Sequence, residues 1–171
     1  MKNILIFLLL FLCISCGSTQ LITKPKEIID CPIVYYSSED RTFLESEEQI
    51  ITLDNLSFKA EINNYAFSKP CFKQNNLANF PLDILIVAEP INLKSPNITL
   101  PIYVALFDVN EKLVDVQYFT LLGSIQVSND DNKFIETELT KLLSIVQLDQ
   151  NTIFSLVIGF MLDEKRKEIL N

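Results

Sequence analysis

Apolar and polar positions alternate most regularly at residues 56–63, LSFKAEIN, where Leu56, Phe58, Ala60 and Ile62 are separated by Ser57, Lys59, Glu61 and Asn63. A period of two puts the two sets on opposite faces of a half-buried strand. Further β-prone runs stand at Ile33 to Tyr36, just after Pro32, and at Leu82 to Ala88, where Pro90 limits continuation in a central position. Ile91 and Leu93 are expected to resume that pairing after a bulge. Ser37 to Glu48, rich in Ser, Glu and Asp, reads as an exposed connection. LPIYVALFDVNEKLVDVQYFTLL, residues 100–122, predicts a hairpin: Ile102 to Phe107 and Leu113 to Leu122 are β-prone, and Asp108 to Lys112 is a polar turn.

Val127 to Asn132 is a second polar connection, and Phe134 to Leu139 is expected to begin another strand. A helix over 135–143 is the competing reading there, because Ile135, Leu139, Leu142 and Leu143 would share one face. IFSLVIGFML, Ile153 to Leu162, is apolar enough to cross the middle of a sheet, with Gly159 marking a bulge or a close backbone contact. Asp163 to Leu170 predicts a short, solvated carboxy-terminal helix capped by Asp163. About seven strands with polar connections define an all-β domain, read as an antiparallel, immunoglobulin-like β-sandwich.

The amino terminus breaks this pattern, with an uninterrupted apolar run from Ile4 to Ile14 after a single Lys2. In a helix rising ~1.5 Å per residue, such a run reaches about half of a ~30 Å hydrocarbon core, so residues 1–15 fit an export signal better than a membrane span. Cys13-Ile14-Ser15-Cys16 resembles the bacterial lipobox, in which a small residue precedes a cysteine that is diacylated through sulfur and exposed by cleavage. Cys16 is therefore the expected lipidation site, and membrane lipid the expected first partner. Cys13 stands where the lipobox usually has leucine, and it is itself a poorer acceptor because Phe11 and Leu12 before it are bulky. An unlipidated exported chain and a signal anchor are the other readings.

Two or three acyl chains on one cysteine hold a protein firmly, where one chain holds it marginally. Gly17 follows Cys16 in place of the aspartate that commonly retains such proteins in the inner membrane, so the resemblance favours the outer membrane, with the domain facing the periplasm. Residues 16–30 are polar and mixed and form the expected tether, reaching some 40 Å if extended. The sandwich domain is assigned to 31–171.

Charge and cysteines narrow the classes further. Removing residues 1–15 takes away Lys2 alone among the charged residues, so 14 basic side chains become 13 against 22 acidic, a balance of −9. That opposes non-specific binding to nucleic acid. The amino-terminal run raises the overall hydropathy, which is not read as exposed apolar surface. Cys31 and Cys71 remain as thiols. An even pair in an oxidising compartment is more readily joined than free, and two separate reduced cysteines are the alternative.

Little catalytic chemistry is available. The chain has no histidine and no tryptophan, which removes the usual general base, metal ligand and catalytic triad. Cys71 has only Lys69 nearby as an activating group. Asp40 with Glu45, and Asp163 with Glu164, sit in polar runs typical of solvated connections, and Asp130-Asp131 lacks the ligand alternation of a calcium loop. The glycosylation triplets at Asn55 and Asn97 carry no weight beside a bacterial lipobox. Neither an enzyme nor a cofactor or metal is expected. Tyr35 and Tyr36 are adjacent on one strand, so one should face away from the core, and Tyr103, Phe107, Tyr118 and Phe119 flank the hairpin. Outward tyrosines either anchor an interface or shield a sheet face.

Cys31-Pro32-Ile33-Val34, Cys71, LPIYVALFDVNEKLVDVQYF at 100–119 and FSLVIGFMLDEKRKE at 154–168 together resemble a family of small uncharacterised alphaproteobacterial lipoproteins. Pro101, Tyr103, Val104, Ala105 and Asp108 fit its central motif, and Gly159, Phe160 and Leu162 its last. Asn110-Glu111 depart from it where the family often carries a glycine. The resemblance implies a lipid-held, periplasm-facing sandwich and no enzymatic activity. The functional expectation is a structural or protein-interaction lipoprotein with an envelope protein as partner. A module binding a small ligand or glycan is the alternative.

Overall fold

The computed structural model describes residues 25–46, 48, 50–148 and 153–170. The expected signal, Cys16 and the tether up to residue 24 lie outside the described residues, while Glu27–Ile29 of the expected tether form a strand paired with the domain.

The longest alternating strand organises the first sheet. β6 (Leu77–Pro90) alternates half-buried and buried positions from Leu77 to Ala88, as a strand with one face in the core must. β9 (Thr137–Leu148) pairs antiparallel along one side of it, from Leu77↔Leu148 to Ala88↔Thr137. Its other side takes two strands end to end, β4 (Leu56–Ala66) against residues 83–90 and β5 (Cys71–Gln74) against residues 77–79. β3 (Thr42–Ser46) then pairs with β4, and β1 (Glu27–Ile29) with β5. These six strands occupy four ranks. Pro81, inside a central strand, lies opposite the gap between β4 and β5, where it has no ladder partner to deprive of an N–H.

The second sheet has the order β2 (Ile33–Tyr36), β10 (Ser155–Phe160), β7 (Asn97–Phe107), β8 (Leu113–Ser124). β7 and β8 form the predicted hairpin, two residues longer at its carboxy end and five at its start. β10 crosses the middle of this sheet as its apolar run predicts, antiparallel to β7. Its partner on the other side corrects the antiparallel expectation, because β2 runs parallel to β10. These two strands meet over a long stretch of chain, with no hairpin to impose opposite directions. The fold is thus all-β, with two packed sheets of six and four strands among the described residues and one short helix, α1 (Glu164–Leu170). Between the sheets, Leu82, Ile84, Ile86, Leu100, Ile102, Ile145, Leu156 and Phe160 are fully buried.

Several sequence expectations are corrected. The connection at 37–48 contains β3, with Phe43 and Leu44 buried. β6 starts at Leu77 rather than Leu82 and does not resume after Pro90; the N–H groups of Ile91 and Asn92 turn instead to the Ser57 carbonyl. Phe134 makes only an isolated bridge to Val127, and the strand expected from it begins at Thr137 and runs on to Leu148, with no helix over 135–143. Asn75 and Asn76, both at positive φ, make the two-residue β5–β6 turn, a geometry asparagine tolerates. Glu111 closes the β7–β8 turn at φ 59°, in the left-handed region that favours glycine.

Three tethers hold the ends. The Cys31–Cys71 disulfide is present, with 5.3 Å between the Cα atoms. It pins the corner at which the chain leaves β1 in the first sheet for β2 in the second. α1 begins as predicted, with the Asp163 carboxylate accepting from Arg166 N–H at 2.8 Å. It is docked rather than solvated: Arg166 Nε donates to the Leu44 carbonyl at 2.8 Å, its guanidinium lies 4.9 Å from the Phe43 ring centre, and it pairs with Glu45 at 3.0 Å. Arg41 sits at the β4 bulge, where its Nε donates to the Ile62 carbonyl at 2.9 Å beside the Tyr36 ring.

Candidate functional site

The outer face of the four-stranded sheet has a distinctive composition, which follows from register. Residues directly opposite one another in adjacent strands share a face, so the pairings read as rows across the sheet. Ile33, Ser155, Phe107 and Leu113 make one row; Tyr35, Val157, Ala105 and Val116 the next. Gly159, Tyr103 and Tyr118 follow, then Pro101 with Thr120, then Thr99 with Leu122. None of these outward residues is charged. The opposite sets, with Leu156, Ile158, Ile102, Val104 and Leu106, enter the core.

The face is most exposed at its two margins. On one margin Ile33 and Tyr35 are 46% and 51% exposed, and on the other Leu113, Tyr118 and Leu122 are 50%, 66% and 69% exposed. Between them Ser155, Ala105 and Gly159 are buried, and Val157, Phe107 and Tyr103 half-buried. A Cβ at Gly159 would stand 2.8 Å from the Tyr103 ring, so a larger residue there would displace that ring. The expected close contact at Gly159 is therefore with an aromatic ring laid across the strand, a known way to cover a glycine in a sheet.

Tyr103 is held in place from beyond the face. Its hydroxyl donates to Asp40 Oδ2 at 2.7 Å, and the Ser37 hydroxyl donates to the same oxygen at 3.1 Å. Asp40 Oδ1 makes no hydrogen bond, but Lys167 Nζ of α1 lies 3.2 Å away and balances its charge. Burial alone would raise the Asp40 carboxyl; the hydrogen bonds from Tyr103 and Ser37, with the Lys167 ammonium beside it, outweigh it and hold the group below its ordinary value. Burial, with the adjacent Asp40 carboxylate, pushes the Tyr103 phenol up to about 12.

The sign follows from proton linkage. Below pH ~10 Tyr103 is protonated whether folded or not, so its contribution is whole; from there to about 12 only the unfolded chain ionises, and stability falls. Asp40 contributes fully above its ordinary carboxyl value, and the contribution is lost as pH falls through the lowered one. Thermal unfolding should show a melting temperature that drops between pH 10 and 12, and a drop of the same size in Tyr103→Phe would remove Tyr103 from the account.

The other surfaces differ. The outer face of the six-stranded sheet is mixed: Lys59, Glu61, Asp83, Glu89 and Glu138, four of the five acidic, share it with exposed Ile28, Leu142, Val146 and Leu148. A cleft of about 440 Å³ is lined by Glu45, Glu48, Asp163 and Arg166, and Arg166 pairs with both Glu45 and Asp163. Asp40 and Glu45, grouped in the sequence, are neutralised separately by Lys167 and Arg166. An apolar pocket of about 280 Å³ beside the disulfide, lined by Ile29, Cys31, Pro32, Phe80, Ile153 and Phe154, is slightly smaller than common ligand sites. Among the described residues no cluster of His, Cys, Asp and Glu could hold a metal, and no helix is long and apolar enough to cross a membrane. Asp131 pairs with Lys133 in its loop, and the Asn55 amide is engaged by Thr52, Glu48 and Ile50.

No protein family, curated protein or solved structure matches the chain. Of the aromatics singled out in the sequence, Tyr35, Tyr103, Phe107 and Tyr118 come together on the uncharged face, while Phe119 points inward and Tyr36 packs edge-on against Tyr65. Leu113, Val116 and Leu122 complete the face, and sequence reading counted them as ordinary strand residues. The signal was the second apolar set in 113–122, offset by one residue from the buried one.

Gln117 also emerges only from the fold. From β8 its side-chain amide donates to the Val146 carbonyl at 2.8 Å and accepts from Val146 N–H at 3.4 Å. It imitates a peptide group and closes the outer edge of β9, which would otherwise offer itself for strand pairing.

Proposed function

We propose that this chain is a non-enzymatic bacterial envelope lipoprotein that acts by protein–protein contact, with the outer face of the four-stranded sheet as its docking surface. The observation that carries this reading is that face, five exposed large apolar side chains in two margins and no charge, on a chain of net charge −8. Continuous apolar faces of several hundred Å² are characteristic of interaction sites. The sandwich is read as an immunoglobulin-like variant with four ranks in each sheet. Its disulfide suits an oxidising compartment. Cys16 is the proposed acyl site, anchoring the domain to the outer membrane so that it faces an envelope partner in the periplasm.

Binding of a small ligand or glycan is the second reading, favoured by Tyr35, Tyr103 and Tyr118 on one face. Aliphatic side chains outnumber hydrogen-bonding groups there, and the Tyr103 hydroxyl is already committed to Asp40, so protein contact is preferred. The test uses the full chain in native membranes, with a photoreactive residue at Tyr118 or, as control, at Thr140 on the opposite face. A protein adduct at 118 alone, with an acylated Cys16 peptide, is the expected result. Equal labelling at both positions would remove the docking face, and an unmodified Cys16 would remove the anchor.

A further inference from the structure

Resting on the reading of this face as a docking surface, we propose that its occupant is a second copy of the same chain, packed face to face about a two-fold axis.

Charge is the first reason. Two copies of net charge −8 repel, and the outer face of the six-stranded sheet, although it exposes Leu142, Val146 and Leu148, also carries Glu61, Asp83, Glu89 and Glu138. The four-stranded sheet presents a face on which two copies meet without opposing like charges. Shape is the second. A two-fold contact must be self-complementary, and this surface carries both large exposed side chains, Leu113, Tyr118 and Leu122, and a middle of small residues, Ser155 and Ala105. A two-fold axis sets the large side chains of each copy against the small residues of the other.

Extent is the third. Strands of 4, 6, 11 and 12 residues, at ~3.4 Å per residue and ~4.8 Å apart, cover roughly 500 Å² in projection. Both copies together then lose on the order of 1,000 Å² or more, near the lower limit for specific association, so a reversible dimer is expected. Sheets pack face to face with strands inclined by about 30°. Edge-to-edge pairing is opposed at two places. Gln117 occupies the Val146 backbone on β9, and Arg166 takes the Leu44 carbonyl on β3.

The experiment co-expresses two full-length versions of the chain, carrying different tags and a photoreactive residue at Leu122, and irradiates native membranes. A crosslinked product containing both tags is expected. Tyr118→Lys should reduce it at least tenfold and Thr140→Lys should leave it unchanged. Both positions are exposed, and unchanged thermal unfolding identifies folded variants; Thr120→Lys, also outward on β8, is the second variant should Tyr118→Lys not fold. A product joining the chain to a different protein would overturn the second-copy assignment while leaving the docking face standing. Adducts with lipid alone, or none, would overturn both. A two-tag product unaffected by either lysine variant on this face would overturn the two-fold packing.

Discussion

Replacing Cys31 and Cys71 together by alanine is expected to lower the unfolding free energy by about 4 kcal/mol, the chain-entropy value for a cross-link over some 40 residues. The location adds a specific consequence. Ile29 pairs with Cys71, and two residues later Cys31 is bonded to the same cysteine just before β2 enters the other sheet. Without the bond, the three-residue β1 and four-residue β2 are held by few ladder bonds and little buried area. Hydrogen exchange should therefore accelerate first in 27–36, ahead of β6, β7 and β9. Denaturant titration measures the total, and a loss below about 1 kcal/mol would mean that the corner is held by other contacts.

Phe160→Ala is expected to cost about 3–5 kcal/mol, the range for removing a fully buried aromatic ring. The Phe160 ring centre lies 5.5 Å from that of Phe43, and the Phe160 N–H donates to the Asp40 carbonyl at 2.7 Å. Truncation opens a cavity between the sheets and loosens the β2–β3 connection that carries Asp40. The Asp40–Tyr103 bond should weaken with it, visible as a lowered tyrosine titration in the folded protein. Phe160→Leu, which fills most of the space, should recover most of the stability. A cost below about 1 kcal/mol for the alanine variant would contradict the burial of this ring.

Long, strongly patterned segments were legible from the residues. The 100–122 hairpin, the apolar run at 153–162, the Asp163 cap and the Cys31–Cys71 pair all carry local signals that survive folding, because period, turn composition, capping chemistry and cysteine parity act over a few residues or depend on composition alone. β3 and β5 were not legible. Four or five residues among serine, lysine and acidic neighbours, such as Thr42–Ser46, become a strand because β4 offers an open edge and α1 supplies Arg166 to the Leu44 carbonyl. Asn75-Asn76 was a usable turn signal for β5.

The sequence by itself determined the class of fold and the inward face of its long strands, since burying a period-two apolar set leaves one choice of side. The tertiary structure alone decided which strands became neighbours. It set β2 parallel to β10, placed Gly159 beneath Tyr103, and joined Asp40 to a lysine of the last helix. Above all it gathered the second, outward-pointing apolar sets of β2, β10, β7 and β8 into one uncharged surface. Each set is unremarkable in its own strand, and only hydrogen-bond register across residues far apart in the chain turns four short stripes into a face.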